Sequence, residues 1–227
     1  MIAINEPVAE LVSTTDATSY AMTVFTPAAN ATLVVFVQAT GTVAAGSMTG
    51  GSLTWTKKDS QVYNTVDTQY VFWANTGPSP ASTTITFNCT GDAATGCVML
   101  AFQCTGTDLQ AADPIRQVAK NTGAATGNPT VTFASALLPS NGYCYGIGSA
   151  RTTPGITPPT NWTETADSGY GTPAAGGAGA YRATGESGTQ IATIATSHTW
   201  GMMAVEVNAS ASSLIWPLRM PCALLAR

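Results

Sequence analysis

The sequence predicts an all-β protein, an antiparallel β-sandwich of jelly-roll-like type built from two pseudo-symmetric repeats. Three observations predict it. Short runs rich in β-branched and aromatic residues recur along most of the chain, helical periodicity is nearly absent, and the same series of runs occurs twice in the same order.

The strand-like runs are residues 21–25, 32–37, 70–73, 83–87 and 97–102 in the first half, and 130–133, 143–145, 190–194 and 202–207 in the second. Clusters of Gly, Pro, Asn and Ser separate them, the pattern of a sandwich or barrel. Residues 108–120 are the one stretch where a short helical turn is expected. The Gly-rich stretches 46–51 and 174–179 read as loops between strands. They lack the Lys-Ser/Thr that follows a phosphate-binding loop.

The repeat appears when the second half is laid on the first at an offset of roughly 105 to 110 residues. Residues 22–25 fall near 130–133, and 33–40 fall on 143–150. Leu53-Thr-Trp-Thr56 falls on Asn161-Trp-Thr163, which sets Trp55 against Trp162. Tyr70-Val-Phe-Trp-Ala74 falls on 179–183, 84–87 on 191–193, and 96–102 on 201–207. Six matches in one order argue for a duplicated unit of about six strands. The expected organisation is a duplicated sandwich over 1–212, with repeat one at about 17–106 and repeat two at about 127–209, then an apolar tail over 213–227. A single fused sandwich is favoured over two tandem domains, because the connection over 106–129 contains Ile115 and Val118 and looks ordered.

Composition narrows the function classes. Only 9% of the 227 residues are charged and 44% are hydrophobic, against roughly 25% charged in an average soluble domain. A polar but weakly charged surface suits a packed assembly. The formal net charge is −4 and the only adjacent basic pair is Lys57–Lys58, so binding to a nucleic-acid backbone is not expected. No apolar run approaches the ~20 residues that span a membrane, and the first residues do not read as a secretory signal. Synthesis in a host cytoplasm is therefore expected.

Catalytic and metal chemistry finds few footholds. The single histidine, His198, has no G-x-S-x-G elbow to serve and reads as a loop or strand-edge residue. Glu164 and Asp167 follow Trp162 and could line a sugar site or support glycoside hydrolysis, although turn residues after a strand explain them as well. Exposed aromatics make carbohydrate binding the better alternative, with Trp55 and Trp162 as candidate glycan contacts where loops meet strands. Asp59, Asp67 and Asp92 show no calcium-loop spacing, and five cysteines without a CxxC pair offer no zinc site. No cofactor and no metal is expected. Cys89 and Cys97 flank the loop 90–96, so a disulfide stapling that expected hairpin is the one bridge considered; buried free thiols are the simpler reading.

The paired segments Leu53-Thr-Trp-Thr56 with Asn161-Trp-Thr163, and Tyr70-Val-Phe-Trp-Ala74 with Ala180-Tyr-Arg-Ala183, make a pattern over most of residues 17–209. It resembles the β-sandwich virion structural proteins of tailed bacteriophages, of the head-decoration or minor tail type, with a duplicated GWT-like repeat. The resemblance implies a non-enzymatic capsid decoration or cement protein on the virion surface, homo-oligomeric and bound to a major capsid or other virion protein. A carbohydrate-binding adhesin or minor tail protein, with surface glycans as partners, is the alternative. The tail is outside the pattern. Its Leu214, Ile215, Trp216, Leu218, Met220, Leu224 and Leu225 are the expected assembly contacts, with Pro217 and Pro221 keeping it extended.

Overall fold

The computed structural model describes residues 1–211 except 42, 44, 91, 92, 125, 126, 196 and 197. The tail contacts Leu214 to Leu225 and Cys222 lie outside the described residues. Among those described there is no helix. In the first half the strands are β1 (Ala3–Asn5), β2 (Leu11–Ser13), β3 (Ser19–Ala21), β4 (Ala31–Thr40), β5 (Ala45–Thr49), β6 (Thr56–Tyr63), β7 (Asp67–Asn75), β8 (Thr86–Thr90) and β9 (Gly96–Thr105). The second half carries β10 (Ile115–Gly123), β11 (Thr130–Thr132), β12 (Gly142–Ser149), β13 (Ile156–Thr157), β14 (Thr163–Gly171), β15 (Ala174–Arg182), β16 (Gln190–Ala192), β17 (Ile194–Ala195) and β18 (Trp200–Val207).

Two large antiparallel sheets form the centre. The first runs β1-β9-β4-β7-β6, with β2 also on β9; the second runs β10-β18-β12-β15-β14. Three small sheets lie outside them: β3-β8-β5 over the first, and β11-β16 and β13-β17 over the second. The result is four layers with three apolar cores, so the large sheets are buried on both faces. It is neither one two-sheet sandwich nor two separate ones.

Burial on both faces explains why the central strands read as continuous apolar runs rather than alternating ones. Along β4, Leu33, Val35 and Val37 face the outer core of the first half, while Val34 and Phe36 face the central core. Along β12, Tyr143, Tyr145 and Ile147 face the outer core of the second half and Cys144 faces the centre.

The central core is asymmetric. Along β12 and β15 the second sheet answers bulky side chains of the first with glycines, while Met203, Val205 and Val207 of β18 add bulk of their own. A Cβ on Gly177 would stand 2.7 Å from Val98 Cγ1, one on Gly179 2.8 Å from Leu100 Cδ1, and one on Gly146 2.6 Å from Phe36 Cγ. The Gly-rich segment expected as a loop over 174–179 is therefore the interior of β15, because only residues without a side chain let the two sheets close. Likewise 46–49 belong to β5, whose Gly46 lies beneath the Phe87 ring.

Polar ties close the two long sides of this pair of sheets. On one side Lys58 pairs with Asp113, Lys120 Nζ meets Asp59 Oδ1 at 2.7 Å, and Gln61 Nε2 donates to Met202 O at 3.0 Å. On the other, Ser168 Oγ donates to Glu10 Oε1 at 2.6 Å, and the Thr40 and Tyr170 hydroxyls share a short hydrogen bond. At the β10 edge the fully buried Glu206 carboxylate accepts from Arg116 Nη1 at 2.5 Å, Gln117 Nε2 at 2.5 Å, Leu138 N at 2.8 Å and Asn141 Nδ2 at 2.8 Å. Four donors satisfy a charge that burial would otherwise penalise heavily.

Three further expectations are corrected. Residues 108–120 hold no helical turn: Ile115 onward is the edge strand β10, bulged between Ile115 and Gln117 and polar on its solvent side. Cys89 and Cys97 do not flank a hairpin. β8 lies in a small outer sheet and β9 in a large one, so the loop crosses between layers. Both are free thiols, as are Cys104 and Cys144, and burial pushes both the Cys89 and Cys97 thiols up. Finally, β4 pairs Leu33 with Ala74 and β12 pairs Tyr143 with Arg182. With Leu33 set on Tyr143, Ala74 corresponds to Arg182 and Trp73 to Tyr181, one residue away from the sequence match. A slip of one residue exchanges the faces of a strand. Phe72 indeed faces the outer core, while Tyr181 packs on the central one.

Candidate functional site

The residues nominated from sequence separate into two groups. Trp162 is buried at 9% exposure, its ring tilted by 37° against Tyr145 at 5.2 Å between centroids, and its indole N–H donates to Glu186 Oε1 at 2.7 Å. Glu186 is in turn paired with Arg182. An indole held this way is a core residue and offers no face to a sugar. Trp55 is half-buried against the outer core of the first half, and its indole N–H donates to Gly50 O at 3.1 Å. His198 is 4% exposed in the segment before β18, too enclosed to meet a substrate.

Glu164 and Asp167, in contrast, do share a site. They lie on β14, an edge strand of the second large sheet, and line an open cleft of about 610 Å³ with Gly155, Ile156, Thr157 and Thr165. The cleft follows from the registers of the sheet. Across it, Tyr145 pairs with Ala180 and Ala180 with Glu164; in the next row Ile147 pairs with Ala178 and Ala178 with Asp167. All of these side chains project from the outer face. The two alanines of β15 are buried within the outer core of the second half, and the cleft is lined by β14 and the facing loop.

Each group in the cleft is tuned by its neighbours. Asp167 fastens the facing loop: its Oδ1 accepts from Gly155 N at 3.0 Å and its Oδ2 from Ile156 N at 3.1 Å. Loss of solvent, and then the Asp167 charge, hold the Glu164 carboxyl above its ordinary value. Tyr145 is 1% exposed, and its hydroxyl has no hydrogen-bond partner among the described residues. Burial first, then Glu164 and Asp167, push that phenol far above its ordinary value. A carboxyl and a carboxylate thus line the cleft with Thr157 beside them, while the Tyr145 ring stays buried in the outer core.

The corresponding place in the first half is filled. There the rows are Val35–Phe72–Lys57 and Val37–Tyr70–Ser60. Phe72 and Tyr70 stand where the second half has Ala180 and Ala178, and both rings belong to the outer core. Lys57 lies over the Tyr70 ring, 5.9 Å from its centroid, a cation–π contact. Two aromatic rings and a cation in these rows of the first half stand against two buried alanines and two carboxylates in the second.

Among the described residues, no group of three or more His, Cys, Asp or Glu stands close enough to hold a metal ion. Tyr145 was missed from the sequence, where it reads as one more core residue of an apolar run. The exchange of Phe72 for Ala180 was the available signal, hidden by the slipped match. No family model, no curated protein and no solved structure matches the chain.

Proposed function

We propose that the chain is a non-enzymatic structural protein of a tailed-phage particle, displayed on the capsid surface as a decoration or cement protein. In this reading it is built from two jelly-roll units fused back to back, and it binds copies of itself and a major capsid protein. A minor tail protein of the same build is the variant of this reading.

One observation carries it: the strand order within each half. In an eight-stranded jelly roll one sheet takes the first, eighth, third and sixth strands, and the other begins second, seventh, fourth. With β2 set aside as an extra edge, the first half gives β1-β9-β4-β7 and β3-β8-β5. With β16 and β17 counted as one interrupted strand, the second half gives β10-β18-β12-β15, then β11-β16 and β17-β13. In both halves the fifth strand has moved onto the larger sheet. Both halves also bulge at the same place, between Lys57 and Asp59 and between Glu164 and Ala166, just past Trp55 and Trp162. Jelly rolls recur in viral capsid and lectin domains, and fold-level analogy links this chain to the first use. A rigid four-layer block with few charges suits a particle surface.

The test is proteomic and microscopic. Particles banded from lysed cultures that express the chain are expected to contain it in fixed ratio to the major capsid protein. Immunogold labelling is expected on the head. A chain found only in the soluble fraction, with none in the banded particles, overturns the proposal.

A further inference from the structure

We propose that the cleft between the turn before β6, the end of β7 and the connection to β10 binds the acetamido group of an N-acetylhexosamine. This does not depend on whether the chain rides on a particle. The cleft measures about 580 Å³, and Leu53, Thr54, Thr56, Trp73, Asn75 and Asp113 are among the residues that line it.

Three observations carry the proposal. First, among the described residues that line the cleft, Trp73 alone is buried, so it forms the floor. It is 8% exposed, and its indole N–H has no partner among the described residues. Buried indoles ordinarily find an acceptor, as Trp55 does at Gly50 O and Trp162 at Glu186 Oε1. An orphaned buried donor costs free energy, and a ligand oxygen seated on the floor would satisfy it. Second, the polar groups around the floor are held in place. Thr32 Oγ1 donates to Asn75 Oδ1 at 2.8 Å, which leaves the Asn75 amide nitrogen to donate elsewhere. Asp113 Oδ1 accepts from Ile115 N at 2.8 Å, and the other carboxylate oxygen pairs with Lys58. Third, the scaffold does not require an indole here. The rows Val34–Trp73–Thr56 and Cys144–Tyr181–Thr163 correspond, and the second copy closes its row with a tyrosine. The wall carrying Asp113 belongs to the connection between the halves, which occurs once.

The order of donors and acceptors selects the ligand. Two N–H groups call for an acceptor oxygen, the fixed carboxylate has lone pairs left for an N–H, and Leu53 offers an apolar wall. A secondary acetamide supplies a carbonyl, an N–H and a methyl in one group. Asp113 is already paired with Lys58, so the lining presents no net charge to draw an ion. An apolar ligand would leave the indole and the amide unpaired. The hydroxyls of Thr54 and Thr56 suit those of a sugar ring, and about 580 Å³ is ample for one. A peptide amide has no strand edge to extend along, because the Lys58–Asp113 and Lys120–Asp59 pairs cross the edge of β6.

The test is saturation-transfer difference NMR on the full chain. The probes are the methyl glycosides of N-acetylglucosamine and N-acetylgalactosamine. Methyl glucoside is the ring without an acetamide, and N-acetylalanine methylamide the acetamide without a ring. Transfer to at least one N-acetylhexosaminide is expected, strongest at the acetyl methyl. The glucoside and the peptide amide are expected to bind at least about tenfold more weakly. Trp73→Phe removes the indole N–H and keeps an aromatic ring, and is expected to weaken binding about tenfold at unchanged circular dichroism. Ala112→Leu, at an exposed position of the lining, crowds the cleft without touching a core and is expected to abolish transfer. If Trp73→Phe does not fold, Ala112→Leu decides alone. Absence of transfer to both N-acetylhexosaminides overturns the proposal, as does equally tight binding of the glucoside or the peptide amide. So does binding that folded Trp73→Phe or Ala112→Leu leaves unchanged, since the sugar would then sit elsewhere.

Discussion

The fit of bulky side chains against glycines predicts how Gly179→Ala behaves. Its Cβ would stand 2.8 Å from Leu100 Cδ1, 3.2 Å from Phe102 Cζ and 3.3 Å from Thr165 Oγ1. Comfortable carbon contacts need about 3.5–4.0 Å. One of the two large sheets must therefore yield by most of an ångström, or Leu100 must leave its rotamer. Leu100 is 1% exposed within the central core and has little room to do so. Overpacking of this kind costs about 1–3 kcal/mol, reduced by the roughly 0.5–1 kcal/mol that alanine gains over glycine in conformational entropy. Leu100→Ala alone opens a cavity and costs about 2–5 kcal/mol. Combined, the two changes compensate, because the new methyl enters the space that Cδ1 leaves. The double variant is expected to lose at least about 1 kcal/mol less than the sum of the single losses. Urea denaturation followed by tryptophan fluorescence measures each value, and thermal scans read about 2–4 °C per kcal/mol for a chain of this size. Strict additivity would show that Leu100 and Gly179 do not meet across the sheets.

Other expectations follow from single sites. Burial and then Glu10 raise the Glu6 carboxyl to about 7. A carboxyl whose folded value lies above its unfolded one stabilises fully at low pH and loses that contribution as pH rises through about 7. Tm of the wild type is thus expected to fall between pH 6 and pH 8, and Glu6→Gln to flatten that slope; an unchanged slope refutes the assignment. Glu206→Ala strips four donors of their acceptor and is expected to cost about 3–5 kcal/mol in urea denaturation. A loss below about 1 kcal/mol would mean the network is solvated. Cys89, Cys97, Cys104 and Cys144, all buried free thiols, are expected to resist iodoacetamide in the native protein and to react in denaturant. Mass spectrometry of native-labelled peptides would contradict this if any of the four were modified.

The sequence revealed those parts of the fold whose physics is local. Residues 32–37 and 97–102 are apolar enough to announce strands, and the Trp55 and Trp162 segments each stand just before the start of one, β6 and β14. What it concealed was set by neighbours. β15 reads as a loop because Ala-Gly-Gly-Ala-Gly has low strand propensity; only the bulk of Val98, Leu100 and Phe102 opposite explains those residues. The edge strands β6 and β14 are polar because one side of each ends the sheet, so their alternation is weak. At the cleft, Glu164 and Asp167 were visible as a pair of carboxylates. The buried Tyr145 hydroxyl in their field was not, because its meaning lies in cross-strand register.

Sharing one core between two halves has a consequence for synthesis. The first large sheet can close once Thr105 has left the ribosome, yet Phe36, Val71, Leu100 and Phe102 then wait for Met203 and Val205 of the last strand to cover them. At roughly 5–20 residues per second the wait lasts on the order of ten seconds. Through that interval the nascent chain carries a bare apolar sheet face, and non-local pairing makes the closing step slow. Two such chains meeting on one polysome can cover each other with the same surface, giving an exchanged dimer in which each half is completed by the wrong molecule. Expression rate and chaperone supply are then expected to affect how much of it reaches its native state.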